Sequence, residues 1–241
     1  MEISEQSLRA LTRSVDDTHR SGMASMRSDI ADLHNEMGPG RTPHSRRQFM
    51  ARIAATSAVI VVGSQIIPVK RLLPASFGAD GDAGIAAFAQ SVELAAVAAY
   101  TAAGASGKVK TPAVVTAATT FAGHHKEHAA AFGAAAGSAA VTQPNPKLLA
   151  AVGGQLTGAA DEKAILKIAY DLENAAASTY LFALGALTST AALALTASIL
   201  PVESQHAVVL GQVLGLAATD YIPKFETVTA AVKPADYPVG S

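Results

Sequence analysis

Two stretches of this chain place charge in the same way inside otherwise apolar sequence. VELAAVAAY, starting at Val92, and LENAAASTY, starting at Leu172, each set a glutamate seven residues before a tyrosine: Glu93 with Tyr100, and Glu173 with Tyr180. HKEHAAAFG from His125 and ESQHAVVLG from Glu203 follow, and the interval from Glu93 to His125 nearly equals that from Glu173 to Glu203. Even a helix-weakening residue recurs, because Gly123 and Pro201 each stand two positions before the first polar residue of these later segments. A repeat of this kind constrains the fold more than composition does, since both copies must satisfy the same packing rules. Each copy reads as two helices, one carrying a lone carboxylate and one carrying a pair at i and i+3. Residues three apart share a helix face one turn from each other, so Glu203 with His206, and His125 with His128, can converge on a common centre. An unpaired buried carboxylate costs several kcal/mol, so Glu93, Glu173 and Glu203 at matching depths require a cation, protons or mutual hydrogen bonds.

The sequence around these residues favours helices. Half of the 241 residues are hydrophobic, aromatic residues make up only 5%, and alanine, the best helix former, dominates the apolar segments. Nothing alternates with period two for long enough to argue for a sheet. A first helix is expected over 84–103 and a second over 111–137, with Thr111 placed to cap it and Pro112 at its first position. Residues 138–158, broken by two prolines and several glycines, read as a long crossover holding one short helix. A third helix is expected over 160–187, with Asp161 and Glu162 in an acidic first turn, and a fourth over 188–216. Beyond Asp220 a proline-containing tail, 221–241, is expected to lie on the surface.

One glutamate from each of two helices plus a Glu-x-x-His pair from each of the other two is the ligand set of the di-iron and di-manganese carboxylate bundles. On Glu93, the pair His125 and His128, Glu173, and Glu203-Ser-Gln-His206, residues 83–217 resemble the ferritin-like superfamily, in particular its small exported bacterial members with alanine-rich bundles. The resemblance implies an all-α domain over 80–220: a ferritin-like antiparallel four-helix bundle with one long crossover, built from two repeated helical hairpins. It further implies a dinuclear iron or manganese cofactor held by Glu93, His125, His128, Glu173, Glu203 and His206, with zinc a competing occupant of such an oxygen and imidazole set. The chain departs from the family at His125, which stands where the first glutamate of the second helix's pair belongs. Three carboxylates against two divalent ions leave one positive charge for a hydroxide or substrate anion to balance. A site with one weak position, a histidine-rich variant site and a degenerate site all remain open. His124, four residues before His128, offers a shifted register that brings Glu127 nearer, but the repeat favours His125, because it sets Glu127 opposite Gln205. Tyr100 and Tyr180, two turns from their glutamates, are expected to cap a neighbouring layer or to donate a hydrogen bond towards the site through intervening groups.

Residues 1–79 differ in character. The first 44 are polar without a sustained apolar run; residues 45–69, SRRQFMARIAATSAVIVVGSQIIPV, then join a basic pair to a modestly apolar stretch, and the small-residue segment PASFGA follows. Ser45-Arg46-Arg47-Gln48-Phe49-Met50 resembles the twin-arginine export signal, whose paired arginines are read by a receptor. Export through that machinery to the periplasm, envelope or exterior is therefore expected, and resemblance to this signal implies a route that characteristically carries folded, often cofactor-bearing proteins. Met23, Met26 and Met37 are alternative starts, no clean A-x-A marks a cleavage point, and an uncleaved 53–69 approaches the lower limit of a membrane anchor. From Asp80 onward eight basic side chains face twelve acidic ones, a net charge of −4 against −1 for the whole chain. Neither value suggests a nucleic-acid partner, and no Gly-rich phosphate loop, nucleophile elbow or HExxH spacing is present. The lack of cysteine removes disulfides and thiolate sites. Two functional readings follow: a dinuclear metal protein that oxidises iron or consumes peroxide or dioxygen, or a non-catalytic envelope stress or interaction protein whose site is vestigial. A homo-oligomer is compatible with either, although no assembly surface of a storage cage is legible.

Overall fold

In a computed structural model that describes residues 3–37, 59–62, 65–68, 81–221, 232 and 236–239, the chain begins with α1 (Glu5–Met37) and a short ladder of β1 (Val59–Val62) and β2 (Gln65–Pro68). The helices α2 (Asp82–Ala105), α3 (Pro112–Ala136), α4 (Pro146–Gly158), α5 (Glu162–Leu184), α6 (Thr190–Val213) and α7 (Ala218–Tyr221) follow. The two sequence repeats are the two hairpins, α2 packed along α3 and α5 along α6, while α4, the short helix of the crossover, lies against α2.

Two carboxylates in helix first turns set the directions of the bundle. Glu162, opening α5, accepts from the backbone N–H of Lys110 at 2.5 Å and of Thr111 at 2.9 Å, and from the Thr111 hydroxyl at 2.6 Å. Asp82, opening α2, accepts from the backbone N–H of Thr188 at 3.0 Å and of Ser189 at 2.6 Å. The start of α3 therefore sits beside the start of α5, and the start of α2 beside that of α6. Helices α3 and α5 run parallel, so the segment joining them must travel the length of the bundle. These contacts follow the repeat: Glu162 stands as far after Asp82 as Glu173 does after Glu93, and Ser189 as far after Thr111 as Glu203 does after His125. Each hairpin's opening acid ties down the other hairpin's second helix.

This arrangement changes the expected part of Thr111. Its side chain does not cap α3; its hydroxyl goes to Glu162, which satisfies the nearby orphan donors instead. Ser189, Asn145 and Asp161 do cap their helices, accepting from Ala192 at 3.1 Å, Leu148 at 3.1 Å and Ala164 at 2.8 Å. Helices α2 and α6 are long and apolar enough to cross a membrane, yet each carries a buried glutamate and packs its apolar residues within the bundle.

The polar N-terminal segment also adds a helix to the bundle. Helix α1 lies against α3 and α6, burying Leu8, Thr12, Val15 and His19. These four are spaced by four, three and four positions, a single helical stripe half of which is polar, so it shows no apolar run. The twin-arginine segment, 45–50, lies outside the described residues. Part of the apolar stretch behind it pairs as strands, Val59 opposite Pro68 and Val62 opposite Gln65, in keeping with its β-branched content. Of the tail, Val232 is buried and donates its N–H to Thr179 Oγ1 at 2.7 Å, and the Tyr237 carbonyl accepts from Asn145 Nδ2 at 3.0 Å.

Because Asp82 and Glu162 act at opposite ends of the bundle, their contributions should be independent. Asp82→Ala and Glu162→Ala are each expected to lower the unfolding free energy by about 1–2 kcal/mol, and the double variant by the sum, as read by urea denaturation.

Candidate metal centre

The fold brings all six expected residues together. Glu93 on α2, His125 and His128 on α3, Glu173 on α5, and Glu203 and His206 on α6 are each at most 1% exposed. His125 lies between the two lone glutamates, its Nδ1 2.7 Å from Glu93 Oε2 and its Nε2 3.1 Å from Glu173 Oε1. A carboxylate can only accept, so both ring nitrogens donate and the ring carries a proton on each. His128 Nδ1 stands 2.8 Å from Glu203 Oε1 and 3.5 Å from Glu93 Oε1, and His206 Nδ1 stands 3.2 Å from Glu173 Oε2 and 3.5 Å from Glu203 Oε2.

These atoms fall into two sets whose members lie within 4.8 Å of one another: Glu93, His125, His128 and Glu203, and then His125, Glu173, Glu203 and His206. The donor chemistry fits a cation. His128 approaches Glu203 closely but off the hydrogen-bonding direction, so both nitrogens of His128 and both oxygens of Glu203 are buried without a hydrogen bond. Leaving such a group unpaired costs roughly 1–3 kcal/mol, and an ion within the first set would meet the need. The shifted register is not adopted: His124 belongs to neither set, and the side chain of Glu127 is 56% exposed.

The tyrosines act more directly than expected. The Tyr100 hydroxyl donates to Glu173 and the Tyr180 hydroxyl to Glu93, each crossing to the other hairpin. Two helical turns carry a tyrosine about 10 Å along the axis from its own glutamate. Because α2 and α5 run in opposite directions, that displacement brings it level with the glutamate opposite. The expectation of intervening groups fails because it lacks this relation between the hairpins.

Helix α1 covers the centre from outside the bundle. His124 Nδ1 lies 3.0 Å from His206 Nε2, and His124 Nε2 lies 3.1 Å from Asp16 Oδ1. His19, also from α1, stacks on His124 with ring centroids 3.9 Å apart, and neither of its nitrogens has a hydrogen bond. Asp16, His19 and this role of His124 are not anticipated from the sequence; the signal available is the stripe Leu8, Thr12, Val15, His19.

The cluster is internally ionised. Burial works to raise the Glu93 carboxyl, but His125 and His128 outweigh it and hold it at about 2, while His125 and His206 hold Glu173 well below the usual carboxylate range. Burial works to lower the imidazoles; the carboxylates overcome it, raising His125 well above its ordinary value, His128 to about 9, and His206 upward. Outside this group the balance reverses. Burial with repulsion from His124, His128 and His206 takes His19 down to about 3, and burial with His206 and His128 takes His124 down to about 4 despite Asp16.

These shifts fix the sign of a pH dependence. A histidine held above its ordinary 6.5 gives its full stabilisation below that pH and loses it as pH rises, through about 9 for His128. His19 and His124 act oppositely: the unfolded chain takes up protons that the folded one refuses, so stability falls as pH drops from 6.5 towards about 4 and then about 3. Glu93 adds a further loss from 4.5 towards about 2. Chelator-treated protein should therefore show a melting temperature that peaks near neutral or slightly acid pH and declines on both sides in calorimetry; a flat profile across this range would contradict the ionised cluster.

Neither a curated protein sequence nor a solved structure matches the chain. The model of the ferritin-like domain matches residues 81–216, the span that holds both hairpins and all six clustered residues, and the chain belongs to that family.

Proposed function

We propose that the chain is an exported ferritin-like protein that binds a dinuclear iron or manganese centre through Glu93, His125, His128, Glu173, Glu203 and His206, and that it oxidises iron or handles peroxide or dioxygen. The supporting observation is the overlap of the two ligand sets. His125 and Glu203 belong to both, so ions held in the two sets would be neighbours rather than occupants of separate sites. Three carboxylates and three imidazoles without a thiolate suit iron or manganese. A redox-active pair bound there would supply one-electron exchange, with ferrous iron, peroxide or dioxygen as the substrate.

The chain's own residues bind, orient and exclude water. Tyr100 and Tyr180 hold the lone glutamates in place by direct hydrogen bonds. Phe121, fully buried, stacks on His206 with centroids 4.0 Å apart and closes the apolar wall beside it. Ligation by His125 requires loss of a proton from Nδ1 or Nε2 and of the hydrogen bond that proton makes, so metal uptake should release protons and strengthen with rising pH. Export draws its support from the sequence SRRQFM at 45–50.

A second reading has one specific observation behind it. His125 already bridges Glu93 and Glu173 through both nitrogens, so the cluster can hold the bundle together by ion pairs alone, as a non-catalytic envelope stress or interaction protein with a vestigial site would require.

Metal content separates the two. The full chain, purified without added metal or chelator, should carry near two equivalents of iron or manganese, and the Glu203→Ala, His206→Ala variant far less; His125→Glu, which supplies a fourth carboxylate, should change the stoichiometry. Near zero in parent and variant alike, even after anaerobic ferrous reconstitution, leaves the second reading. Export is tested by the Arg46→Lys, Arg47→Lys pair on a folded reporter, which should be retained in the cytoplasm; unchanged translocation would refute this route.

A further inference from the structure

We infer that Asp16 and His124 are positioning residues of the metal centre, fixing from outside the four-helix bundle the ring nitrogen that His206 offers to a metal. The inference rests on the metal-binding reading above. His206 faces the carboxylates with Nδ1, 3.2 Å from Glu173 Oε2. Its Nε2 lies 3.0 Å from His124 Nδ1, and His124 Nε2 lies 3.1 Å from Asp16 Oδ1, so side chains from α6, α3 and α1 stand in one hydrogen-bonded row.

One placement of protons satisfies this row with a neutral His124. Asp16 accepts, so His124 carries its proton on Nε2 and presents a lone pair at Nδ1. His206 must then keep its proton on Nε2, so Nδ1, on giving up the proton it donates to Glu173, is the nitrogen left to ligate. Without the Asp16 carboxylate, His124 can turn an N–H towards His206 and favour the tautomer whose Nδ1 is blocked. Asp16 is itself held, by Arg20 Nε at 3.0 Å and the second guanidinium nitrogen at 2.8 Å, and the ring of His124 is clamped by its stack on His19.

The other half of the repeat lacks this support. His128 is the counterpart of His206, and its Nε2 has no hydrogen bond. The position matching His124, at the offset that relates Glu203 to His125, is Val202, which is buried and apolar. Two metal positions built on His206 and His128 are therefore unequal, and the better-held one depends on a helix outside the matched ferritin-like domain.

The test uses the full chain and cobalt(II), titrated by visible absorption against a competing chelator, with nitrogen shifts of the histidine rings recorded on zinc-loaded protein. The parent should bind in two unequal steps. Asp16→Ala should weaken the tighter step about tenfold to a hundredfold, leave the weaker step unchanged and give His206 a mixed tautomer. Asp16→Glu should restore much of the loss, and Asp17→Asn, a neighbouring carboxylate on the same helix, should match the parent. Val15→Ala loosens the seating of α1 without touching the row. An equal loss in Val15→Ala, with His206 ring shifts unaltered, would overturn positioning in favour of simple coverage. Unchanged affinity and ring shifts in Asp16→Ala would overturn it while leaving metal binding intact, whereas a parent that binds no cobalt would sink the metal-binding reading as well.

Discussion

Six ionisable side chains lie at the centre of a bundle whose other walls are alanine, leucine, isoleucine and phenylalanine, and charge of that kind is tolerated in a dry interior only when it is mutually compensated. Much of the architecture serves that condition. The i and i+3 spacing on α3 and α6 aims two groups from one helix at one point. The antiparallel relation of α2 and α5 lets each tyrosine reach the opposite glutamate. Three carboxylates then face three imidazoles across distances of about 3 Å, and for Glu93, Glu173 and the three imidazoles that attraction outweighs the cost of burial.

The centre is legible in the sequence because it is written twice. Glu93 and Glu173, each followed seven residues later by a tyrosine, fix the offset between copies, and that offset selects His125 over His124 without any knowledge of geometry. The helices are equally legible from alanine content, from Pro112 at the first position of α3 and from Asp161 and Glu162 at the start of α5. What the sequence withholds depends on how separate elements meet. The destination of the Tyr100 hydroxyl follows from the direction of α5 relative to α2, and the use of Thr111 follows from Glu162 standing beside it, neither of which is a local property. Helix α1 escapes notice for another reason: its buried stripe alternates Leu8 and Val15 with Thr12 and His19, so its contacts with the bundle are as much polar as apolar.

The two hairpins are alike in backbone and opening acids and unlike in charge. His125 takes the place that Glu203 has in the other copy, and His124 the place of Val202, so a framework with near two-fold symmetry carries a centre without it. Both of these differences fall on α3, the helix that contributes three histidines and packs against α1. A symmetric scaffold leaves such changes inexpensive, since the contacts of Asp82 and Glu162 and the crossed tyrosines keep the helices in register whichever ligand occupies a given place.

The crossed contacts also order events in time. Within a hairpin the helices are neighbours in sequence, whereas the bonds that join the hairpins link residues 48 to 107 positions apart. Such distant pairings form late, after local helical structure. During synthesis Glu93 and His125 emerge well before their partners, and the cluster cannot close until His206, in the last long helix, has been made. For that interval a growing chain displays only half of the cluster, so the choice of any metal held there would belong to the moment when α6 docks rather than to the first residues that could touch one.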